Sequence, residues 1–443
     1  ILDDIDGDGI DEIVTISLES NNGYDDGIIT VYDAATKNME WQSQEDLFGS
    51  RAWTGLRDLA AGQLDDDPQK EIVVGASDLY DGALYIIDGI THELEHSFIY
   101  PDMTTFQAVE VVDIDGDGDQ EIVAAESDNV HFIDPRTGSV ERSFFDTVDT
   151  YIVNMDLADV DGDGGVDILL SAWISTIYTP VKEYFKVINP RTGGAIGYQT
   201  NELYSMATIP AEGDGMDLVF GTLNGELVLR YGQSFVEKKR WKVIDQNITS
   251  LRTYDVDADG VPEVIFTAED KWGIFDIEKE KLLYVDSRSG FYGSGSDIIP
   301  GDTDNDGRFD VIIGSSFSVS SFELAEAEIR RIKAWTVDPA TGWRKTVFRK
   351  GDIIRFVVNV ETESDTSVPI YAEGTAAALK FGNWAFDIPS TIVMSQPGNT
   401  VLNWDIPYPD NDSRFLSLGA ATISVQTVSS EPLLTSVKFW LAP

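Results

Sequence analysis

The chain of 443 residues carries 78 Asp and Glu against 31 Lys and Arg, a formal net charge of -47. That excess argues against nucleic acid or an anionic membrane as partner and in favour of something cationic. It has no cysteine, which excludes disulfides, thiolate-bound zinc, iron-sulfur clusters and thiol catalysis. With 42% hydrophobic and 11% aromatic residues and no apolar run near the ~18 residues that a spanning helix needs, a soluble, globular chain of two or three domains is expected. It opens at Ile1 without Met, as expected of a processed or trimmed chain.

From the first residues onward one pattern recurs: an apolar stretch, then D-x-D-x-D-G-x-x-D/E, then a second apolar stretch. Copies run from Asp4 to Glu12, Asp113 to Glu121, Asp159 to Asp167, Asp255 to Glu263 and Asp302 to Asp310. A weaker copy spans Gln63 to Glu71, and an eroded one between Ile209 and Asp217 keeps only Glu212, Asp214 and Asp217. The period is about 48 residues. Around each copy the flanks are short and β-branched, as in Ala108 to Val112, Ile122 to Ala125 and Val130 to Ile133, which predicts strands. Turn signals follow at Asp33 to Thr36, Asp88 to Thr91, Asp134 to Gly138 and Asn189 to Gly193, and these suit tight hairpins. Four strands per unit, repeated seven times, predict an all-β, seven-bladed β-propeller over residues 1–324, each blade burying its faces against its neighbours.

Calcium takes six to eight oxygens, and alternate acidic positions with a glycine that lets the loop curl supply them from a short segment. In the third unit this assigns Asp113, Asp115 and Asp117 as side-chain ligands, the carbonyl of Asp119 as a backbone ligand and Glu121 as the closing, bidentate carboxylate, with Gly118 at the bend. The closing acid is the ninth residue and begins a strand, which separates the loop from an EF-hand, closed at its twelfth position between helices. Magnesium, with its strict octahedron and retained waters, suits the loop less well. Asp and Gly favour turns in any case, but five near-complete copies exceed what turn preference explains. Carboxylates this close repel, so the loops are expected to need metal for order.

Motif, period and copy number resemble the FG-GAP or VCBS-type repeats of integrin-α-like propellers. By position, the resemblance implies calcium at Asp4, Asp6, Asp8 and Glu12; at Asp65, Asp67 and Glu71; at Asp159, Asp161, Asp163 and Asp167; at Asp255, Asp257, Asp259 and Glu263; and at Asp302, Asp304, Asp306 and Asp310. The carbonyls of Ile10, Gln69, Gly165, Val261 and Arg308 stand where Asp119 stands in the third copy. Five to six structural Ca2+ ions are expected, with the second site weak and the eroded fifth empty. No Gly-Ala-Pro follows Phe48-Gly49 or Tyr292-Gly293, so the chain is more similar to a prokaryotic surface repeat protein than to an integrin.

Residues 325–443 lack the acidic motif and read as longer strands: Ile353 to Val360, Ala376 to Phe381, Thr400 to Trp404, Ala420 to Val428 and Leu434 to Leu441. They resemble the Ig-like or fibronectin-like β-sandwich modules that accompany such repeats. The hairpin Val337 to Gly342 could finish the seventh blade or open the sandwich, and the boundary is placed near Leu324. Lys350-Gly351-Asp352 is read as a hairpin turn between Thr346 to Phe348 and Ile353 to Phe356, rather than as an integrin-binding tripeptide.

His92-Glu-Leu-Glu-His96 spells a zinc-protease signature, but in strand context residues four apart lie about 13 Å apart and cannot share an ion. His131 reads as a packed strand residue. No serine elbow, P-loop or dinucleotide fingerprint occurs, and the paired carboxylates are taken up by the calcium pattern, so no enzyme is expected. Trp173 and Tyr178 are candidate sugar platforms, and Asn247 and Asn411 head glycosylation triplets. The resemblance implies a non-catalytic, calcium-stabilised protein, extracellular or at the cell surface, that mediates adhesion, protein interaction or self-assembly into a layer or filament. Its expected partners are a protein or glycan, including copies of itself. The alternative is a carbohydrate-binding propeller or a polysaccharide-lyase relative.

Overall fold

The computed structural model describes residues 1–17, 27–44, 47–48, 54–65, 68–78, 81–145, 150–176, 179–200, 203–257, 259–269, 271–286, 297–304, 308–314, 319–323, 329–362, 369–380, 384–394, 399–408, 417–427 and 433–442. Every regular element among them is a β-strand. Seven antiparallel sheets follow one another, each with its strands in chain order. The first holds Leu2–Asp3, Glu12–Ile16, Ile29–Asp33 and Met39–Gln42; the second Thr54–Gly62, Glu71–Asp78, Asp81–Asp88 and Leu94–Tyr100. The third holds Phe106–Val112, Glu121–Glu126, Asn129–Ile133 and Val140–Phe145; the fourth Thr150–Ala158, Asp167–Thr176, Thr179–Asn189 and Gly194–Thr200. The fifth holds Leu203–Pro210, Met216–Thr222, Glu226–Arg230 and Glu237–Lys242; the sixth Ile248–Tyr254, Glu263–Ala268, Trp272–Asp276 and Lys281–Asp286. The seventh has three described strands, Ile298–Gly301, Asp310–Gly314 and Val319–Glu323.

The middle strands are apolar on both faces because each sheet is covered on both sides. Every residue of Glu121–Glu126 and of Glu263–Ala268 is buried. Ile5 and Val14 pack with Ile72 and Tyr85 between the first and second sheets, and Ile86 packs with Phe106 and Ile122 between the second and third. Phe132 meets Ile168, Phe185 meets Phe220, Leu227 meets Phe266, and Trp272 meets Val311 and Ile313, which carries the packing to the seventh sheet. Ile312 of that sheet then packs with Ile13 and Ala34 of the first, so the row closes on itself. Lys37 adds a bond across this closure, donating from Nζ to Thr303 Oγ1 at 3.0 Å.

Charged residues of the first strands of the second, third, fourth and sixth sheets come near one another. Arg252 Nη2 lies 3.4 Å from Asp297 Oδ1, with Glu110, Asp156 and Asp58 within electrostatic reach. Burial pushes the Glu110 carboxyl up to about 8 and that of Asp58 up to about 6.

The C-terminal part is built of two sheets. One orders Ile329–Val337, Ile353–Thr362 and Thr400–Pro407; the other orders Val347–Phe348, Leu433–Leu441, Ser417–Gln426, Pro369–Lys380 and Ala385–Met394. Phe356 and Leu402 of the first and Trp384, Ile423 and Phe439 from the second share one core. Three points differ from, or decide, the sequence reading. The turn Val337 to Gly342 extends the strand Ile329–Val337, which pairs with Ile353–Thr362, so it belongs to the C-terminal sheets; the expected boundary at Leu324 lies outside the described residues. Lys350 to Asp352 is a turn, with the Asp352 N–H donating to the Arg349 carbonyl at 2.9 Å, but its flanks form no hairpin. Val347–Phe348 crosses to the other sheet and pairs parallel with Leu433–Leu441. A further strand, Ala385–Met394, was concealed by Pro389; it is tolerated because the strand is an edge and the proline falls at a break in its register.

Candidate metal centre

Four of the acidic loops fold alike. In the first, the N–H groups of Gly7 and Gly9 donate to Asp4 Oδ1 and Oδ2 at 2.9 and 3.2 Å. Asp8 N–H donates to Asp6 Oδ1 at 3.0 Å, and Ile10 N–H to Asp8 Oδ1 at 2.8 Å. The third loop repeats this with Gly116 and Gly118 on Asp113, Asp117 on Asp115 and Asp119 on Asp117. The fourth does so with Gly162 and Gly164 on Asp159, Asp163 on Asp161 and Gly165 on Asp163. In the sixth, Gly260 bonds Asp255, Asp259 bonds Asp257 and Val261 bonds Asp259. The chain therefore curls around its own carboxylates. The sixth position requires a left-handed backbone, with φ of 91°, 101°, 82° and 90° at Gly9, Gly118, Gly164 and Gly260.

The closing acid opens the second strand of its sheet and turns back under the loop. One oxygen of Glu12, Glu121, Asp167 and Glu263 accepts the N–H of the second loop residue: Ile5 at 2.8 Å, Ile114 at 3.0 Å, Val160 at 3.0 Å and Val256 at 2.9 Å. Ile5, Ile114 and Val160 are themselves buried beneath the loop. Carboxylate oxygens of Asp4, Asp6 and Asp8, of Asp113, Asp115 and Glu121, of Asp159, Asp161 and Asp167, and of Asp255, Asp257 and Asp259 lie within 4.8 Å of one another in each set.

Buried carboxylates this close are costly without a counter-charge. Asp167 is 0% exposed, and its Oδ1 is buried with no hydrogen-bond partner. Burial, reinforced by Asp161, pushes its carboxyl up to about 6; burial with Asp6 pushes Glu12 up to about 7, and burial with Asp257 pushes Glu263 up to about 8. Asp304 Oδ1 in the seventh loop is likewise buried and unpartnered. An oxygen-only, anionic donor set with orphaned carboxylate oxygens fits a hard divalent cation such as Ca2+.

The remaining loops depart from this form. In the second, Leu64 N–H bonds Glu71 Oε2 at 2.5 Å, and the acid group formed by Asp65 and Glu71 is joined by Glu95 from the outer strand Leu94–Tyr100. Gln69 is among the described residues, whereas Asp67 lies outside them. A cavity of about 400 Å³ here is lined by Asp65, Glu95, His96 and Arg136, among others. In the seventh, Thr303 donates to Asp310 Oδ2 from both N and Oγ1, at 3.2 and 2.7 Å. Asp302, Asp304 and Arg308 are described there, and Asp306 lies outside the described residues. In the eroded fifth, Asp217 is paired with Lys238.

Sequence reasoning missed a recurrent neighbour of these loops. In the first two sheets the aspartate that begins the hairpin stands in cross-strand register with the closing acid, Glu12 with Asp33 and Glu71 with Asp88, and Asp134, Asn189 and Asp276 begin the hairpins of the third, fourth and sixth. The carboxylate of such an aspartate accepts N–H groups of its own turn, for example those of Arg136 and Thr137 on Asp134 at 2.8 and 3.1 Å. The signal was the repeated Asp or Asn at the hairpin start, which reads as turn chemistry alone.

The other singled-out residues are placed as follows. His92 sits in the turn with φ 56° and stacks on Trp41 at 4.5 Å, while His96 stacks on Phe98 at 5.4 Å; the two rings pack against different aromatics. His131 is buried, with Nδ1 2.8 Å from Ser143 Oγ and Nε2 3.4 Å from Glu126 Oε1. Trp173 is 44% exposed. Asn247 is half-buried, and Tyr178 and Asn411 lie outside the described residues. No described helix is long and apolar enough to cross a membrane.

No protein-family model matches the sequence, and no curated protein matches it. Among solved structures, BBS1N, crystallised in complex with ARL6DN and soaked with lead, aligns with a TM-score of 0.51 at 12% identity, covering 73% of this chain and 90% of that one. Sqt1 of Saccharomyces cerevisiae aligns with a TM-score of 0.45 at 15% identity, over 72% and 85%. The likeness to BBS1N concerns the fold: the chain is an all-β protein of propeller-like architecture.

Proposed function

We propose that the seven sheets are blades of an FG-GAP/VCBS-type propeller over residues 1–324, that residues 325–443 form an Ig-like sandwich, and that the protein is a non-catalytic, calcium-stabilised scaffold. It works outside the cell or at its surface, in adhesion, protein interaction or self-assembly. One observation carries the calcium reading: the same loop geometry recurs in four sheets, and in the fourth it leaves a carboxylate oxygen of Asp167 buried without a partner. Bound calcium would neutralise the clustered carboxylates. Asp4, Asp6, Asp8 and Glu12, with their counterparts in the third, fourth and sixth loops, would hold it, while backbone N–H groups orient those carboxylates. An interaction role is supported by the propeller-like fold and by BBS1N, which was crystallised in complex with another protein.

The test is a thermal melt and electron microscopy of the whole chain, with calcium and with EDTA. The expected outcome is a melting temperature lower by many degrees in EDTA and restored by calcium, since an ion at about 100 times its Kd contributes about 2.7 kcal/mol per site. An unchanged melt refutes the calcium reading. Particles that stay monomeric in every condition refute self-assembly and leave binding of a different partner, to be read by pull-down and glycan array.

A further inference from the structure

The sixth loop carries a cation that the first and third lack. Its hairpin places Lys279 at the position held by Thr36, Thr91, Thr137 and Thr192 in the first four sheets. The ammonium reaches back to the loop, with Nζ 3.0 Å from Asp257 Oδ2, 3.1 Å from Asp259 Oδ2 and 2.9 Å from Asp276 Oδ2. Asp276 is 1% exposed, and its other oxygen accepts the Lys279 N–H at 2.6 Å, so backbone and side chain of Lys279 are fixed by one buried acid. Among the described residues, no Lys or Arg pairs with Asp4, Asp6 and Asp8 or with Asp113, Asp115 and Asp117.

We propose that Lys279 is a tethered counter-ion of the sixth loop. It keeps this loop ordered without a divalent cation and weakens its affinity for calcium relative to the first and third loops. The physical basis is that a fixed ammonium offsets the mutual repulsion of Asp257, Asp259 and Asp276 at all times, whereas the first and third loops depend on an ion from solution. A calcium ion entering the sixth loop meets a positive charge already seated against two of its ligands. Affinity differences among the loops would then arise from the hairpin and not from the acidic motif, which is complete here.

The inference rests on the calcium reading, and peptide-resolved hydrogen exchange of the full chain, in calcium and in chelator, separates the two. In the unmodified chain, chelator should speed exchange in Asp4 to Glu12 and Asp113 to Glu121 about tenfold or more, and in Asp255 to Glu263 by less than about threefold. Lys279→Met, which keeps the alkyl stem, should make the sixth loop respond like the other two, and Lys279→Arg should preserve its protection. A sixth loop that responds to chelator like the others in the unmodified chain, or is unaffected by Lys279→Met, overturns the proposal. If chelator changes no loop, the calcium reading fails. Lys279→Met then decides alone: faster sixth-loop exchange keeps Lys279 as the counter-ion, and unchanged exchange removes it.

Discussion

Replacing Asp167 with asparagine should change the sign of its effect on stability according to whether calcium is present. The side chain is fully buried, and one of its oxygens comes within 4.8 Å of oxygens of Asp159 and Asp161. Two like charges at such a distance repel by about 3 kcal/mol at an effective dielectric near 20. Asp159 and Asp161 are half-buried, and screening reduces this to about 1 kcal/mol per pair. Asparagine keeps an oxygen to accept the Val160 N–H, now 3.0 Å from Asp167 Oδ2, and removes both repulsions. In chelator the variant should therefore be more stable by about 1–2 kcal/mol. In calcium it loses the closing ligand and most of the roughly 2.7 kcal/mol that an ion at 100 times its Kd contributes. Thermal unfolding followed by tryptophan fluorescence, in calcium and in chelator, reads the two signs directly. A variant destabilised equally in both conditions would show that the Asp167 carboxylate supports the fold without a cation, and the reasoning would be wrong.

Glu126 gives a pH prediction away from the loops. Burial opposes its ionisation, but hydrogen bonds from His131, Thr104 and Asn129 outweigh this and hold its carboxyl down to about 2. A depressed carboxyl stabilises the fold above its unfolded value near 4.5, and that contribution, about 2–3 kcal/mol, is lost as pH falls from there toward 2; in Glu126→Gln the melting temperature should drop at pH 7 and the acid limb should flatten, and an acid limb identical to that of the unmodified chain rejects the assignment. Ile5→Ala should cost about 2–5 kcal/mol, because this 1%-exposed side chain fills the seam between the first and second sheets; denaturant unfolding with a loss under about 1 kcal/mol would contradict that packing. Gly419→Ala would push a methyl group into the ring of Trp384, whose Nε1 donates to Ser417 Oγ at 2.9 Å. A loss of about 1–3 kcal/mol is expected, and an unchanged near-ultraviolet tryptophan signal would count against it.

What the sequence determined by itself is local. Alternating acids, the glycine at the sixth position and the closing acid at the ninth all act within one nine-residue loop, where N–H groups meet carboxylates two to seven residues away. The strand pairs on either side follow from β-branched runs and turn residues that are near neighbours in the chain, so four strands per unit could be read from the repeat. Partners brought from further off left no comparable mark. Ile312 packing on Ile13, Glu95 joining the second acid group, Lys279 reaching over the sixth loop and Arg252 facing acids of other sheets each depend on how sheets stack or strands register. A period in sequence repeats the fold of one unit, but it does not specify which side chain of a neighbouring strand arrives at the loop. The parallel pairing of Val347–Phe348 and the edge strand holding Pro389 were also hidden. The first obeys backbone hydrogen bonding to a strand distant in the chain, whereas the second pairs only with its chain neighbour Pro369–Lys380, and only the folded sheet decides that this strand is an edge that can hold a proline.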